Sequence, residues 1–349
     1  MNQKGRDRLP NEKMGNQAAA QRDSLAYQMT RRQSLVTAVM APFVATFARA
    51  AGYPDRPIRI VSPYAAGGVG ETIMHLLAVS MEARLGEKII VEAKPGAAGN
   101  VGTEEVARAA PDGSTLLIAA TNNFVINQYV MKMTFDPLAT LAPIAKIAEV
   151  PLVLFSNPAV PARTIQEFIA YAKTNPGEVN YGVPSLGTVN HLMMERLKQA
   201  TGADLTCIPY RGSPPALLAL LKNEIQVFPI GLAAVGTSFG EGKLTALAVA
   251  TKERLPMLPD VPSIAESGFP GLVASNWFGM AAPAGTPDDV LDSLAQAVFD
   301  AQRTTSVQER FTTLGMLVPN ISRQEFAASL KSEADFWHET VQRGKISIE

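Results

Sequence analysis

From residue 58 onward, short β-branched runs alternate with helical segments at a spacing that fits βαβ units on a parallel sheet. Ile58-Arg59-Ile60-Val61 reads as a first strand. A helix over 72–85 follows, with apolar Ile73, Leu76, Leu77 and Leu85, and Gly86 is placed to stop it in the left-handed conformation. Residues 88–91 and 114–119 read as further strands around a helix at 101–110. The pattern then restarts with an apolar run at 152–155, a capping box at Thr164-Ile165-Gln166-Glu167, a strand at 179–182 and a helix at 189–200 closed by Gly202. A strand at 206–209, a helix at 214–221 and strands at 225–228 and 244–250 complete a second unit, and 277–282 reads as another strand. Thr286-Pro287-Asp288-Asp289 opens a helix with proline at its first position and acids on the helix dipole. Two more helical segments end the chain. The pattern specifies an α/β protein of two similar lobes with a helical tail, and shows no fixed-period repeat.

Composition removes several function classes. The 349 residues carry 31 basic and 32 acidic side chains, so no basic field awaits a nucleic-acid backbone. Cys207 is the single cysteine, which excludes a disulfide framework and a cysteine-based zinc site. His75, His191 and His338 form no HExxH pair, so neither a metal nor another cofactor is expected.

The first fifty residues read as an address. Residues 1–28 are polar and without hydrophobic period. Arg31-Arg32 then precede a 13-residue apolar run at 35–47 and the cleavage pattern Ala48-Arg49-Ala50. The run is too short for a bilayer, which needs about 20 residues, and the paired arginines resemble a twin-arginine export signal, with an ordinary secretory signal as the alternative. A translation start at Met29 fits the same pattern. The segment holds eight basic and three acidic residues, so a chain starting at Ala51 keeps 23 and 29 and is mildly acidic. The expectation is an exported, periplasmic protein with the signal removed and no membrane anchor.

Two strand-to-helix loops carry the chemistry. One is Pro63-Tyr64-Ala65-Ala66-Gly67-Gly68-Val69-Gly70-Glu71, the other Gly182-Val183-Pro184-Ser185-Leu186-Gly187-Thr188-Val189-Asn190-His191. Glycine lets a ligand approach the backbone, and a helix N-terminus adds positive potential, so two facing loops can clasp a carboxylate with neutral amides. Enzymatic patterns fail by spacing. Gly68 and Gly70 are followed by Ile73 rather than the third glycine of GxGxxG, and Gly240-Glu241-Gly242-Lys243-Leu244 lacks the glycine and hydroxyl of a phosphate loop. Ser185 sits in GxxSxG rather than a nucleophile elbow, and Cys207 reads as a small core residue. No complete catalytic set is present, and the chain reads as a non-enzyme.

A set of ordered motifs resembles one family. Tyr53-Pro54-Asp55-Arg56-Pro57-Ile58-Arg59-Ile60-Val61, Pro95-Gly96-Ala97-Ala98-Gly99-Asn100, Ala110-Pro111-Asp112-Gly113, Pro209-Tyr210-Arg211-Gly212-Ser213, Leu258-Pro259-Asp260-Val261-Pro262 and Ala282-Pro283-Ala284-Gly285-Thr286-Pro287 are similar to the Bug family, the TctC-like receptors of tripartite tricarboxylate transporters. The resemblance implies a type II periplasmic-binding-protein fold, two lobes closing on a cleft, with lobe 1 at 51–153 and 276–349 and lobe 2 at 154–275. It implies a monomeric receptor that captures a small carboxylate and delivers it to membrane subunits of TctA/TctB type. Position by position it implies ligand contacts from Tyr64, Gly67, Gly68, Val69, Gly70 and Glu71, from Ser185, Leu186, Gly187, Thr188, Asn190 and His191, and from Thr121, Asn122 and Asn123. Pro229, where relatives carry a polar residue, is expected to make the far end of the cleft less polar. Two rival roles keep the same sequence features: a ligand-sensing co-receptor, and an exported hydrolase using Ser185 or Cys207.

Overall fold

The computed structural model describes residues 52–64, 66 and 69–348. The export signal, Gly67 and Gly68 lie outside the described residues. Among the described residues nine strands form one sheet: β1 (Ile58–Ser62), β2 (Ile89–Ala93), β3 (Thr115–Ala120), β4 (Leu141–Ser156), β5 (Asn180–Val183), β6 (Thr206–Pro209), β7 (Val227–Gly231), β8 (Thr245–Val249) and β9 (Ser275–Pro283). Helices of eight residues or more are α1 (Val69–Leu85), α2 (Asn100–Ala107), α3 (Ile165–Thr174), α4 (Val189–Thr201), α5 (Ser213–Leu221), α6 (Asp288–Gln302), α7 (Thr305–Thr313) and α8 (Arg323–Gly344).

The strand order is β2-β1-β3-β9-β4-β7-β5-β6, with β8 also on β4. Within each half the βαβ units are parallel as the pattern requires, β1 with β2 and β3, and β5 with β6 and β7. The links between halves are antiparallel, so the sheet is mixed rather than wholly parallel. The link is β4 itself. Leu141 to Pro151 pair with β9, whereas Leu152 to Ser156 pair with β7. Sequence reading found only the last few residues of this 16-residue strand. Pro143 and Pro151 look like strand breakers, yet the register slips just after Pro143, and Pro151 sits where β4 changes partners.

The helix stops are as the glycines dictate. Gly86 (φ 78°) follows α1 and Gly202 (φ 68°) caps α4 in the left-handed region. Thr164 caps α3 by accepting from the Glu167 N–H, but the Glu167 carboxylate reaches back to the N–H of Arg163, one residue before the expected partner. The start of α6 also differs. Pro287 occupies the cap position, not the first turn, and the Thr286 hydroxyl donates to Pro283 O, leaving the acids Asp288 and Asp289 to serve the dipole. The tail also packs against α4. On α8, the Phe336 ring lies 3.9 Å from the guanidinium carbon of Arg196 on α4, and Thr340 accepts a hydrogen bond from the same guanidinium at 2.9 Å.

Candidate functional site

A cavity of about 530 Å³ lies between the loop after β1 and the loop after β5. The first residues of α1, Val69 and Gly70, form part of one wall, and Ser185, Leu186 and Thr188 form part of another. Both helices therefore present their N-terminal ends to the cavity, where the helix dipole adds positive potential for an anion. Among the described residues that line it, none carries a charge.

The positions expected from the sequence divide into those that line the cavity and those that hold the lining in place. Tyr64, Val69, Gly70, Asn122, Ser185, Leu186 and Thr188 line it. Glu71 does not; its carboxylate lies 3.4 Å from His75 Nε2, one turn further along α1. Thr121 is fully buried, and its hydroxyl accepts from the Trp277 N–H and donates to Trp277 O, clamping β3 to β9. Asn123 accepts from the Tyr64 hydroxyl at 2.6 Å and donates to Ala98 O. Asn190 donates to Pro229 O at 2.7 Å, which ties α4 to β7. Pro229 itself stands in a fully buried strand opposite Leu154, away from the described lining.

Gly187 has a different part from the one expected. Its N–H donates to His191 Nδ1 at 3.1 Å and its carbonyl accepts from Asn122 Nδ2 at 2.9 Å, so its backbone is committed to the protein. The second bond spans the cleft, from the loop after β3 to the loop after β5. At φ 71° the backbone favours glycine, and an added Cβ would lie 3.1 Å from Val130. His191 thus orders the loop as an acceptor, which requires its neutral form. Burial pushes its imidazole below the ordinary 6.5. With the folded value depressed, the full stability is present above about pH 6.5 and is lost as pH falls through the folded value. The melting temperature is expected to be flat from pH 8 to 7 and to drop on acidification below 6.5, more steeply in the native protein than in His191→Gln, as differential scanning fluorimetry at stepped pH will read.

Sequence reasoning missed a third loop as a site element. Pro95 to Gly99 line the cavity, and Ala97 and Ala98 take left-handed backbone (φ 45° and 52°) between Gly96 and Gly99. Such conformations cost alanine about 1–2 kcal/mol each and gather at functional sites. Gly99 has no room for a side chain, since its Cβ would stand 2.4 Å from Asn123 Nδ2. The available signal was a glycine-flanked strand-to-helix turn of the kind already recognised twice. Asn276, Phe278 and Ile348 also line the cavity. The first two are alternate residues on one face of β9, whereas Ile348 comes from the end of the chain.

Strand order, helix-end loops and cleft together define a periplasmic-binding-protein fold of two lobes joined by crossing strands. Residues 73–345 match the family profile described as "Tripartite tricarboxylate transporter family receptor". BugT of Bordetella pertussis is 34% identical over 285 residues, covering 80% of this chain and 87% of BugT. Among solved structures, Rpa4515 of R. palustris with adipate shares 30% identity at a TM-score of 0.74, covering 85% of this chain and all of that one. MatC from Rhodopseudomonas palustris with bound malate shares 30% at 0.71, covering 83% and 100%. The chain belongs to the TctC family of tripartite tricarboxylate transporter receptors. The family is one of periplasmic solute receptors rather than enzymes, and no described helix is long and apolar enough to cross a membrane.

Proposed function

We propose that this protein is an exported, non-enzymatic receptor that captures a small carboxylate between its lobes and hands it to membrane subunits of TctA/TctB type. The observation that carries the reading is the charge-free cavity flanked by the N-termini of α1 and α4. An anion there is met by oriented backbone dipoles and by the Ser185 hydroxyl, which favour a carboxylate without a counter-charge. Adipate in one relative and malate in another support the same ligand class. The lobes divide at the change of partners on β4 and at the entry to β9, close to 153 and 276, and the binding set comprises the two loops with Asn122.

Ligand binding draws the loops together, and only tighter binding to the closed state can drive that closure. Hydrolysis finds little support in the geometry. His191 Nδ1 is occupied by Gly187, and burial raises the Cys207 thiol above its ordinary range, away from the reactive thiolate.

Isothermal titration of the unit from Gly52 with mono-, di- and tricarboxylates tests the reading; saturable binding of one class supports it, and a silent panel against native and refolded protein overturns it. Asn122→Ala removes the Asn122–Gly187 bond that spans the cleft. A net hydrogen bond contributes about 1 kcal/mol, so the dissociation constant of the bound carboxylate should rise about fivefold while the melting temperature stays within about 2 °C.

A further inference from the structure

We propose that Ile348, on the C-terminal tail, sets the length of the ligand, and that the ligand is a monocarboxylate with an apolar body. The proposal rests on the carboxylate-receptor reading above and deepens it. Helix α8 is capped by Lys345, which turns the chain in the left-handed conformation (φ 49°). The tail then runs back to the cleft, where the Ile348 N–H donates to Val130 O at 3.0 Å. Its side chain lines the 530 Å³ cavity and also a neighbouring cavity of about 340 Å³. Ile348 and Ala97 are the residues common to both walls, so this side chain stands at the partition. Gly187 backs the same place, with its missing Cβ 3.5 Å from Ile348 Cγ2.

Among the described residues, the polar side chains lining the 530 Å³ cavity account for one carboxylate, not two. The Tyr64 hydroxyl donates to Asn123, the Asn122 amide to Gly187 O, the Thr188 hydroxyl to Ser185 O, and the Asn127 amide to Ala98 O and Asn100 Oδ1. The Ser185 and Asn276 side chains remain in the lining. The rest of the ligand then meets Val69, Leu186, Phe278 and Ile348, which favour an apolar body. Beyond Ile348 the neighbouring cavity offers Val101, Met131, Met133 and Phe135 beside the polar Asn100, Glu104, Lys132 and Thr134, so its apolar stripe can take a longer hydrocarbon tail if the partition is trimmed.

The test is calorimetric titration of butanoate, hexanoate, octanoate, decanoate and adipate into the native protein, Ile348→Ala and Ile348→Val, with melting temperatures as the folding control. The native protein should bind hexanoate at least about tenfold tighter than adipate, because an unpaired second carboxylate is penalised. Ile348→Ala should improve octanoate or decanoate relative to hexanoate by about tenfold, and Ile348→Val should keep the native order. Adipate preferred over hexanoate, or a length profile unmoved in a folded Ile348→Ala, overturns the proposal and leaves the receptor reading standing. No heat from any of the five with native protein, when di- and tricarboxylates of other shapes do bind, also overturns this proposal alone. Silence from every carboxylate removes the reading beneath it.

Discussion

Trp277→Ala is expected to lower the unfolding free energy by about 3–5 kcal/mol, read as a reduced urea midpoint at unchanged slope. The indole is 1% exposed on β9 and packs 5.2 Å from the Phe124 ring and 5.4 Å from Phe326. Its Nε1–H donates to both oxygens of Glu333, at 2.9 and 3.0 Å, and the Trp337 indole donates to one of them at 3.3 Å. Burial lifts the Glu333 carboxyl above its ordinary range in spite of those donors. Truncation therefore opens a cavity and takes the better donor from a carboxylate that has little water. Trp277→Phe keeps most of the volume and removes the N–H, so its smaller loss, about 1–3 kcal/mol, isolates the hydrogen-bond share. Equal losses in the two variants would show that packing contributes nothing there, against this account.

Tyr64→Phe should cost about 2 kcal/mol of stability and weaken carboxylate binding about tenfold or more. The phenol oxygen accepts from the Ala120 N–H at 2.8 Å and donates to Asn123 Oδ1 at 2.6 Å. Phenylalanine leaves both partners unsatisfied, and each unmade buried bond costs about 1–3 kcal/mol, offset in part where cleft water can reach. The effect on binding passes through Asn123, which also holds Ala98 O and with it the strained third loop. Tyr64 thus has two parts, its ring lining the cavity and its hydroxyl organising the loop behind. Burial also raises its phenol above the ordinary value of 10, so the native contribution is intact below pH 10 and is lost as pH rises through the folded value. The pH dependence of urea midpoints between 8 and 11 should be shallower in Tyr64→Phe. A variant with native stability and native affinity would refute the bridging role.

Much of this architecture was legible in the sequence, for physical reasons that differ by element. Ile58 to Val61 and Thr206 to Pro209 are bounded by turn residues, and the glycines at 86 and 202 are helix stops that few other residues could provide. The two glycine-rich loops were legible as site elements because glycine before a helix start has a mechanism. The length of β4 was not, since two prolines mask a strand whose register yields around them. The roles of Asn190, His191 and Thr121 were not legible either. They lie beside the cavity in sequence, but their side chains turn inward to Pro229 O, the Gly187 N–H and the Trp277 backbone, and one-dimensional spacing carries no direction. Ile348 lies over 150 residues from the loop it abuts, so only the folded chain brings the two together.

The shared strand β4 has a consequence for how such receptors diversify. One continuous stretch of backbone contributes side chains to three packed cores, and residues 157–274 are inserted between β4 and β9, which lie side by side. Grafting a lobe from a relative would require matching both crossing strands, register for register, at the irregularities near Pro143 and Lys146. Exchange of whole lobes is thereby discouraged. New ligand preferences are instead accessible through single substitutions at the tips of loops and at the tail, where a change in one side chain leaves the common spine untouched.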